Sequence, residues 1–416
     1  MRILRAIVLP LALHTSFTPA DEPQWIKVSG FGTLGVAHSN NKEADFRQNL
    51  EQSVGTGRTH KIDSALDSAF GVQADAVLND RLQATAQVIS RRQTDNSTRP
   101  YIEWANLRWQ IASNLDAHGG RIVAPMFMVS DARMVGHAQL TVRPPGEVYL
   151  INPITYINGA DVNYRIDSGR VLYRMGASGG KVNQALTSST GTTAYHYDVR
   201  VLHAGLEFAD STLRTAYTRA YLDSNSDTLS LFNTAINQLI AQGVGNASQL
   251  KDLLAYRNVP IDFYSLGYAY DGYPWQIQVE WARRQFTRSS LGTDLDGGYA
   301  LAGYHIGRFT PFLMYAHLSH KSRTEIAPVE TGSLPTGGQK VIQGMISNAQ
   351  GRHARNSLTL GGRWDMAENL ALKLQVDHIR KPGGNNSGYF APPIPADFAA
   401  QHRDIMIYSA NLDFVF

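Results

Sequence analysis

The sequence predicts an all-β fold: a 16-stranded antiparallel transmembrane β-barrel with long extracellular loops and an infolded constriction loop. Three observations support this prediction. Apolar residues recur at every second position in many segments, the connections alternate between short turns and long polar loops, and the chain closes on an amphipathic segment that ends with Phe416. Side chains of a strand point alternately to its two faces, so this alternation indicates strands with one apolar face.

The C-terminal segment shows the alternation most clearly. Its apolar face carries Met406, Tyr408, Ala410, Leu412, Phe414 and Phe416. An apolar face on the last strand is typical of an outer-membrane barrel. The other alternating segments lie near 26–36, 70–78, 82–88, 106–111, 115–124, 160–166, 170–178, 196–208, 211–221, 261–270, 275–281, 298–306, 309–319, 358–365 and 370–377. The total is even, as bacterial single-chain barrels require.

The connections between these segments alternate in length. Residues that favour tight turns stand at 79–80, 113–114, 167–169, 209–210, 271–272, 307–308 and 367–368. Long polar loops are predicted near 40–63, 94–100, 125–158, 181–195, 222–260, 288–297, 320–355 and 381–402. Up-and-down barrels have short periplasmic turns and long outer loops, so every short turn should lie on the periplasmic side with Phe416.

Composition excludes several function classes. The chain has 416 residues and no cysteine, which removes disulfides and thiolate metal sites. Its 38 Lys and Arg residues nearly balance 35 Asp and Glu residues, so no nucleic-acid-binding charge is visible. No run approaches the ~18 apolar residues that a membrane-spanning helix needs.

The N-terminus has the pattern of a secretory signal peptide. Arg2 and Arg5 precede a short apolar run at 6–13, and Thr18-Pro19-Ala20 offers a cleavage site. We therefore predict a signal peptide at 1–20 and an outer-membrane β-barrel domain at 21–416.

Three stretches and the terminal Phe416 resemble the Gram-negative general porins. Val28–Gly35 is similar to their first strand, Gly120–Asp131 to the strand that leads into their infolded loop, and Arg143–Asp161 to the return of that loop. The resemblance implies a homotrimeric diffusion channel for small hydrophilic solutes in the bacterial outer membrane, in contact with lipid and lipopolysaccharide. One departure is that 125–158 lacks the acidic Pro-Glu-Phe-Gly-Gly type of cluster.

The 125–158 segment is the predicted functional centre. It is long for a connection, and its start at 126–129 is apolar, so it should pack inside the barrel. The alternative is a lid over the barrel mouth. Charges that line a pore set its ion preference. The charged residues predicted at the constriction and along the pore are Arg91, Arg108, Arg121, Asp131, Arg133, Arg143, Glu147, Asp161 and Arg165.

Parity along the strands gives further expectations. Arg121 is expected to face the lumen, Lys373 to face the lumen and Leu374 to face lipid. Inward-facing bases outnumber inward-facing acids, which favours a weak preference for anions. A helical stripe at 231–240 predicts a helix in the 222–260 loop, packed on the outer rim or on a neighbouring subunit.

Two short motifs suggest other chemistry. Gly30–Gly35 matches G-x-G-x-x-G, but the strand alternation continues through it and no helix follows, so small residues at a subunit contact or a bend explain it better. Gly176–Gly180 matches G-x-S-x-G, but no strand-to-helix turn follows Ser178, as a hydrolase would require.

The sequence therefore favours a passive outer-membrane porin that catalyses no reaction and needs no cofactor or metal. One alternative is a substrate-specific channel for small anions or sugars. From other classes, an outer-membrane hydrolase would need an outward-facing Ser-His site, and an adhesin barrel would have a plugged lumen.

Overall fold

One antiparallel sheet closes on itself and forms the wall of a barrel, which confirms the predicted fold. The structure, a computed structural model, describes residues 25–188, 191–287, 292–321 and 326–416. Sixteen long strands each pair with their sequence neighbour, and the first and last pair with each other. A further strand of two residues lies in the first long connection. The predicted signal peptide at 1–20 lies outside the described residues.

The strands are numbered in chain order. They are β1 Ile26–Ser39, β2 Ile62–Asp63, β3 Ala69–Asn79, β4 Leu82–Arg91, β5 Tyr101–Ala112, β6 Leu115–Val123, β7 Tyr156–Asp167, β8 Val171–Ser188, β9 Gly191–Phe208, β10 Ser211–Asn225, β11 Val259–Gly272, β12 Trp275–Phe286, β13 Asp294–Tyr304, β14 Phe309–Lys321, β15 Arg355–Ala367, β16 Leu370–Lys381 and β17 Arg403–Val415.

The short turns lie at the end of the barrel that also holds Phe416, as predicted from the loop lengths. One predicted long loop is wrong: residues 181–188 and 191–195 belong to the paired strands β8 and β9. Val182 and Leu186 are both buried, and they keep the inward parity of β8 beyond its predicted end near 178.

The seam between β1 and β17 explains the glycines of the Gly30–Gly35 motif. Phe416 exchanges backbone hydrogen bonds with Gly30, at 2.8 and 3.0 Å. A Cβ atom on Gly30 would lie 2.2 Å from the Phe416 ring, and one on Gly32 would lie 2.3 Å from the Phe414 ring. The two terminal rings therefore lie across the glycines on the outer face, and any larger residue there would displace them.

The inward faces of β9–β14 form what we term the apolar wall. Their buried side chains include Val201, Phe263, Leu301, Phe312 and Met314. These residues belong to one continuous apolar cluster inside the barrel. This sector of the barrel interior is therefore packed like the core of a water-soluble protein.

The inward faces of β3–β7 form what we term the polar wall. Here polar side chains hydrogen-bond to one another. Asp75 accepts from Thr85 of the neighbouring strand at 2.6 Å and from Gln73 of its own strand at 2.8 Å. Gln87 donates to Gln73 at 2.9 Å. The polar wall thus resembles the wet interior of a membrane barrel.

In the described parts of the long connections lie five α-helices. They are α1 Gly146–Tyr149, α2 Asp227–Ala241, α3 Ala247–Leu253, α4 Thr336–Ala349 and α5 Ala396–Ala400. α2 confirms the helix predicted from the stripe at 231–240, and it packs with α3 and α4 of the long connections. Its predicted position on the outer rim or on a neighbouring subunit stays a prediction. No helix in the described part of the chain is both long and apolar enough to cross a membrane.

Candidate functional site

Residues 124–155, which we term the infolded loop, cross the barrel interior. Met126 and Phe127 are buried, as expected from their apolar character. The Phe127 ring stacks on Tyr149 at 4.7 Å and meets Phe263 of the apolar wall edge-on at 5.2 Å. The loop therefore packs inside the barrel on the apolar wall, and it is not a lid over the mouth.

A buried carboxylate holds the start of this loop to the wall. Glu280 of β12 accepts hydrogen bonds from the Met128 backbone N–H at 2.8 Å and from the Tyr149 hydroxyl at 2.7 Å. Arg284, four residues farther along β12, donates to the Ile151 carbonyl at 2.6 Å. Both ends of the loop are thus fixed to one strand.

Arg143 fixes the middle of the loop to a second site, formed by the first long connection and the strands β16 and β17. Its guanidinium donates to Asp67 at 2.6 and 2.8 Å, to Asp377 of β16 at 2.9 Å and to Ser409 of β17 at 2.6 Å. The side chain is only 5% exposed. The prediction that Arg143 lies on the permeation path is therefore wrong, because buried carboxylates neutralise it completely.

Glu147 is a second buried anchor. It accepts from Arg355 of β15 at 2.7 Å and from the Ser357 hydroxyl, and its side chain is 3% exposed. Its predicted position at the pore surface is also wrong. A buried charge needs hydrogen-bonding or charged partners, and parity alone does not reveal the loop that buries Glu147.

Lys373 faces inward, as parity predicts, but it lies beneath the infolded loop. Its ammonium group is 3.0 Å from Asp413 and donates to the carbonyls of Gly136 and Thr141 at 2.7 and 3.1 Å. Leu374 is 57% exposed on the outer face, as predicted. Lys373 therefore holds the loop instead of lining the pore.

Arg121 lies on the outer face of β6, so its predicted position at the constriction is wrong. It is two residues from Gly119, which pairs with the outward-facing Leu107, and alternate residues share a face. Its guanidinium lies 3.9 Å from the Tyr156 ring centre and donates to Asn158 at 2.9 Å. Val123, two residues farther along β6, shares this outer face.

A second loop folds inward that the sequence reasoning missed. Residues 40–68, which we term the first loop, reach β8, where Gln184 donates to Glu51 at 2.9 Å. Arg47 donates to the Tyr389 carbonyl at 3.1 Å and to the Thr187 carbonyl at 3.5 Å. The available signal was Phe46 and Leu50, two apolar residues in a polar loop, and both are buried.

The two loops enclose a cavity in the lumen. About 800 Å³ of space remains between them, part of it open to solvent. Charged residues on its surface are Glu51, Asp67, Arg91 and Arg133. Glu51 is ion-paired with Arg91, and Asp67 with Arg143, so three of the four charges are compensated.

Arg133 is the uncompensated charge of this cavity. It donates to the carbonyls of Tyr149 and Asn152 at 2.7 and 3.4 Å, and within the described ranges no carboxylate forms an ion pair with it. Its guanidinium lies 5.4 and 5.2 Å from the ring centres of Phe127 and Tyr149. Burial lowers the pKa of Arg133 to about 10, so the group remains charged near neutral pH.

The remaining predicted residues lie on the lumen wall or beside it. Arg108 pairs with Asp116 at 3.1 Å, and Asp161 accepts from His118 at 2.6 Å. Arg165 keeps inward parity near the short turns and donates to the Ser113 carbonyl at 3.4 Å. Asp131, in the infolded loop, lies 3.3 Å from Arg214. Their effect on permeation stays a prediction.

The Gly176–Gly180 motif lies wholly inside β8, without a turn into a helix. Ser178 faces inward directly across from Asp161, and its hydroxyl is buried without a hydrogen-bond partner in the structure as described. No group of three His, Cys, Asp or Glu side chains in the described ranges is arranged to hold a metal ion.

The barrel resembles solved outer-membrane barrels in fold, at low sequence identity. An anion-selective porin from Comamonas acidovorans superposes with a TM-score of 0.52 at 12% identity, over 94% of this chain and 99% of that chain. OmpF from Salmonella typhi gives 0.50 at 11%, over 94% and 97% of the two chains. OmpT, an outer membrane protein of Vibrio cholerae, gives 0.51 at 11% in its trimer form, over 94% and 100%.

No protein-family model and no curated protein matches the sequence. The fold and the outer surface nevertheless agree. Leu34, Leu202, Leu360 and Leu374 are each more than half exposed on outward faces, as a lipid-facing belt requires. The chain is an outer-membrane β-barrel. It lies in the bacterial outer membrane, with the long loops at one end and the short turns at the other.

Proposed function

We propose that this protein is a porin: a passive channel through which small hydrophilic solutes and ions cross the outer membrane, without catalysing a reaction. The observation that carries this proposal is the division of the lumen. The infolded loop packs on the apolar wall and leaves uncovered the part of the polar wall nearest the short turns, where Gln83 and Arg108 keep solvent contact. An adhesin or a structural anchor gives no reason for such a wall.

We further propose a preference for anions. Arg133 is the one charge of the loop cavity that no opposite charge compensates among the described residues. A fixed cation at a narrow point raises the local concentration of anions, and salt screens the effect over ~10 Å at 0.1 M. An anion-selective porin is also among the proteins with this fold.

Planar-bilayer recording tests both statements. The purified protein should give discrete ohmic conductance steps in KCl. Under a KCl gradient, the zero-current potential should have the sign of an anion-selective channel. Arg133→Glu should shift that potential toward cation preference at low salt. Arg121→Glu is the matched control, since the same charge change on the outer face should leave the potential unchanged.

A protein that inserts but conducts no ions would overturn the channel and favour the adhesin or anchor. Equal shifts from both substitutions would overturn the assignment of Arg133, because a surface charge would then have the same effect as a cavity charge.

For partners, we propose a homotrimer and contact with lipopolysaccharide. The outward faces of β3 and β4 carry Ala74, Ala76, Ala84 and Ala86, which let a neighbouring barrel approach closely. On another sector Arg121 lies on the outer face across from Asn158, which pairs with the exposed Lys181, and cations at this height suit lipid phosphates. Cross-linking in isolated membranes tests the trimer, and co-purifying lipid in the double variant R121E/K181E tests the lipid contact.

A further inference from the structure

The loop cavity is partly enclosed, as a ligand site requires. Its space of about 800 Å³ includes a part that is open to solvent, so a small solute can enter it. Residues from two separate loops and from the wall line it, so a solute there is surrounded on several sides. A simple constriction needs only a ring of residues, whereas this arrangement forms a chamber.

Much of the chamber lining is apolar. Leu50 of the first loop and three residues of the infolded loop line it: Met134, Leu150 and Pro153. Such a surface offers water few hydrogen-bond partners. The apolar surface of a solute is therefore stabilised when it leaves water and contacts this lining. The lining therefore favours a solute with an apolar body over a free sugar.

The single uncompensated charge fixes the polar end of that solute. A guanidinium has five N–H donors, and Arg133 uses two of them for the carbonyls of Tyr149 and Asn152. The rings of Phe127 and Tyr149 hold its plane. A fixed planar fork matches a carboxylate, which can accept two parallel hydrogen bonds.

We propose that this chamber binds a small monocarboxylate with an apolar or aromatic body as it passes through the channel. The proposal deepens the porin function and rests on it. A single charge is expected because Arg133 is the only cation of the lining without an ion-pair partner among the described residues, since Arg91 is already paired with Glu51.

Isothermal titration of the full-length protein in detergent micelles tests the site, with benzoate as the probe. Benzamide has the same shape without the charge, and inorganic phosphate has charge without an apolar body. We expect benzoate to bind and both comparison solutes to bind at least about tenfold more weakly, since a charge-assisted hydrogen bond is worth ~1.5–3 kcal/mol.

Arg133→Gln should weaken benzoate binding about tenfold or more. Arg108→Gln on the polar wall is the matched control and should not change it. Arg133→Lys keeps the charge and loses the fork, so it should fall between the two. If Arg133→Gln does not fold, Arg133→Lys and the comparison of benzoate with benzamide on the unchanged protein still decide.

Absent benzoate binding, equal binding of benzamide or phosphate, or binding insensitive to Arg133 would each overturn the proposal. The outcome for the channel is separate. KCl conductance without benzoate binding would contradict the proposed binding site and support the porin function. Benzoate binding without conductance would contradict the porin function and support the binding site.

Discussion

The polar wall and the apolar wall are built from the same kind of strand, and they differ only in what their inward side chains touch. On β3–β7 the inward residues bond to one another across neighbouring strands, as Arg108 does with Asp116. On β9–β14 they pack against the infolded loop, as Phe263 does against Phe127. Substitutions should therefore be costly on the apolar wall and nearly free on the polar wall.

The largest effect is expected under the loop, at Lys373. Lys373→Glu would place two carboxylates beside each other, because Asp413 lies 3.0 Å from the lysine ammonium. Breaking a buried ion pair costs about 3–5 kcal/mol. We expect a loss of that size in the free energy of unfolding, measured by guanidinium titration in lipid vesicles.

Arg108→Glu is the matched control on the polar wall, where the ion pair with Asp116 is partly exposed. Such pairs contribute roughly 0–1 kcal/mol. Comparable losses in the two variants would contradict the division of the lumen into a covered and an uncovered side.

A slightly smaller effect is expected on the apolar wall. Leu301→Ala removes a side chain that is 5% exposed in the inner cluster and should cost about 2–5 kcal/mol. Gln83→Ala, on the exposed inward face of β4, should change the free energy of unfolding by less than ~0.5 kcal/mol. Parallel unfolding curves of both variants in vesicles measure the difference, and similar midpoints would show that the two walls are equally packed.

The outer face gives the next effect. Leu374→Arg places a cation toward lipid and should cost about 2–4 kcal/mol near the bilayer midplane. The size depends on depth in the bilayer, so the same change at Leu360, also on an outward face, sharpens the result. If the Leu374→Arg variant folds as well as the unchanged protein in vesicles of long-chain lipids, Leu374 does not lie in the lipid-facing belt.

The last expected effect is a loss of stability at acidic pH. Burial and the nearby cations Arg363 and Lys373 lower the pKa of His137 in the infolded loop to about 4, below its ordinary 6.5. The unfolded chain then binds a proton that the folded chain refuses, so stability falls as pH drops from about 6.5 to about 4, by at most ~1.4 kcal/mol per pH unit.

His137→Gln should flatten that part of the pH profile of the unfolding free energy. The profile is measured from pH 4 to 7 in the same vesicles. An unchanged slope would mean that His137 titrates alike in both states and is not covered by the loop.

Alternation, with the alternating lengths of the connections, was sufficient to predict the barrel and its short turns. It was sufficient because lipid imposes one strict requirement on every outward residue, and the sequence records that requirement directly. Inward residues meet no common requirement. Arg143 and Arg133 lie ten positions apart in one loop. Two carboxylates form ion pairs with Arg143, whereas none among the described residues forms an ion pair with Arg133.

The partners of the site residues could not be predicted because they come from distant strands. Asp67, Asp377 and Ser409 meet Arg143 only after the barrel has closed. Arg121 failed for a simpler reason, since a parity count that skips one residue reverses the face. The first loop was missed because two apolar residues in a polar segment are too weak a pattern to indicate infolding.

The contact of Phe414 and Phe416 with the glycines of β1 has a consequence for rates. Both rings reach Gly32 and Gly30 only when β1 and β17 are already paired, so the contact is absent from every open intermediate. An interaction that forms after the transition state slows unfolding and leaves the folding rate unchanged. Gly32→Ala should therefore shorten the lifetime of the closed barrel without slowing its formation, which makes the seam a determinant of persistence in the membrane.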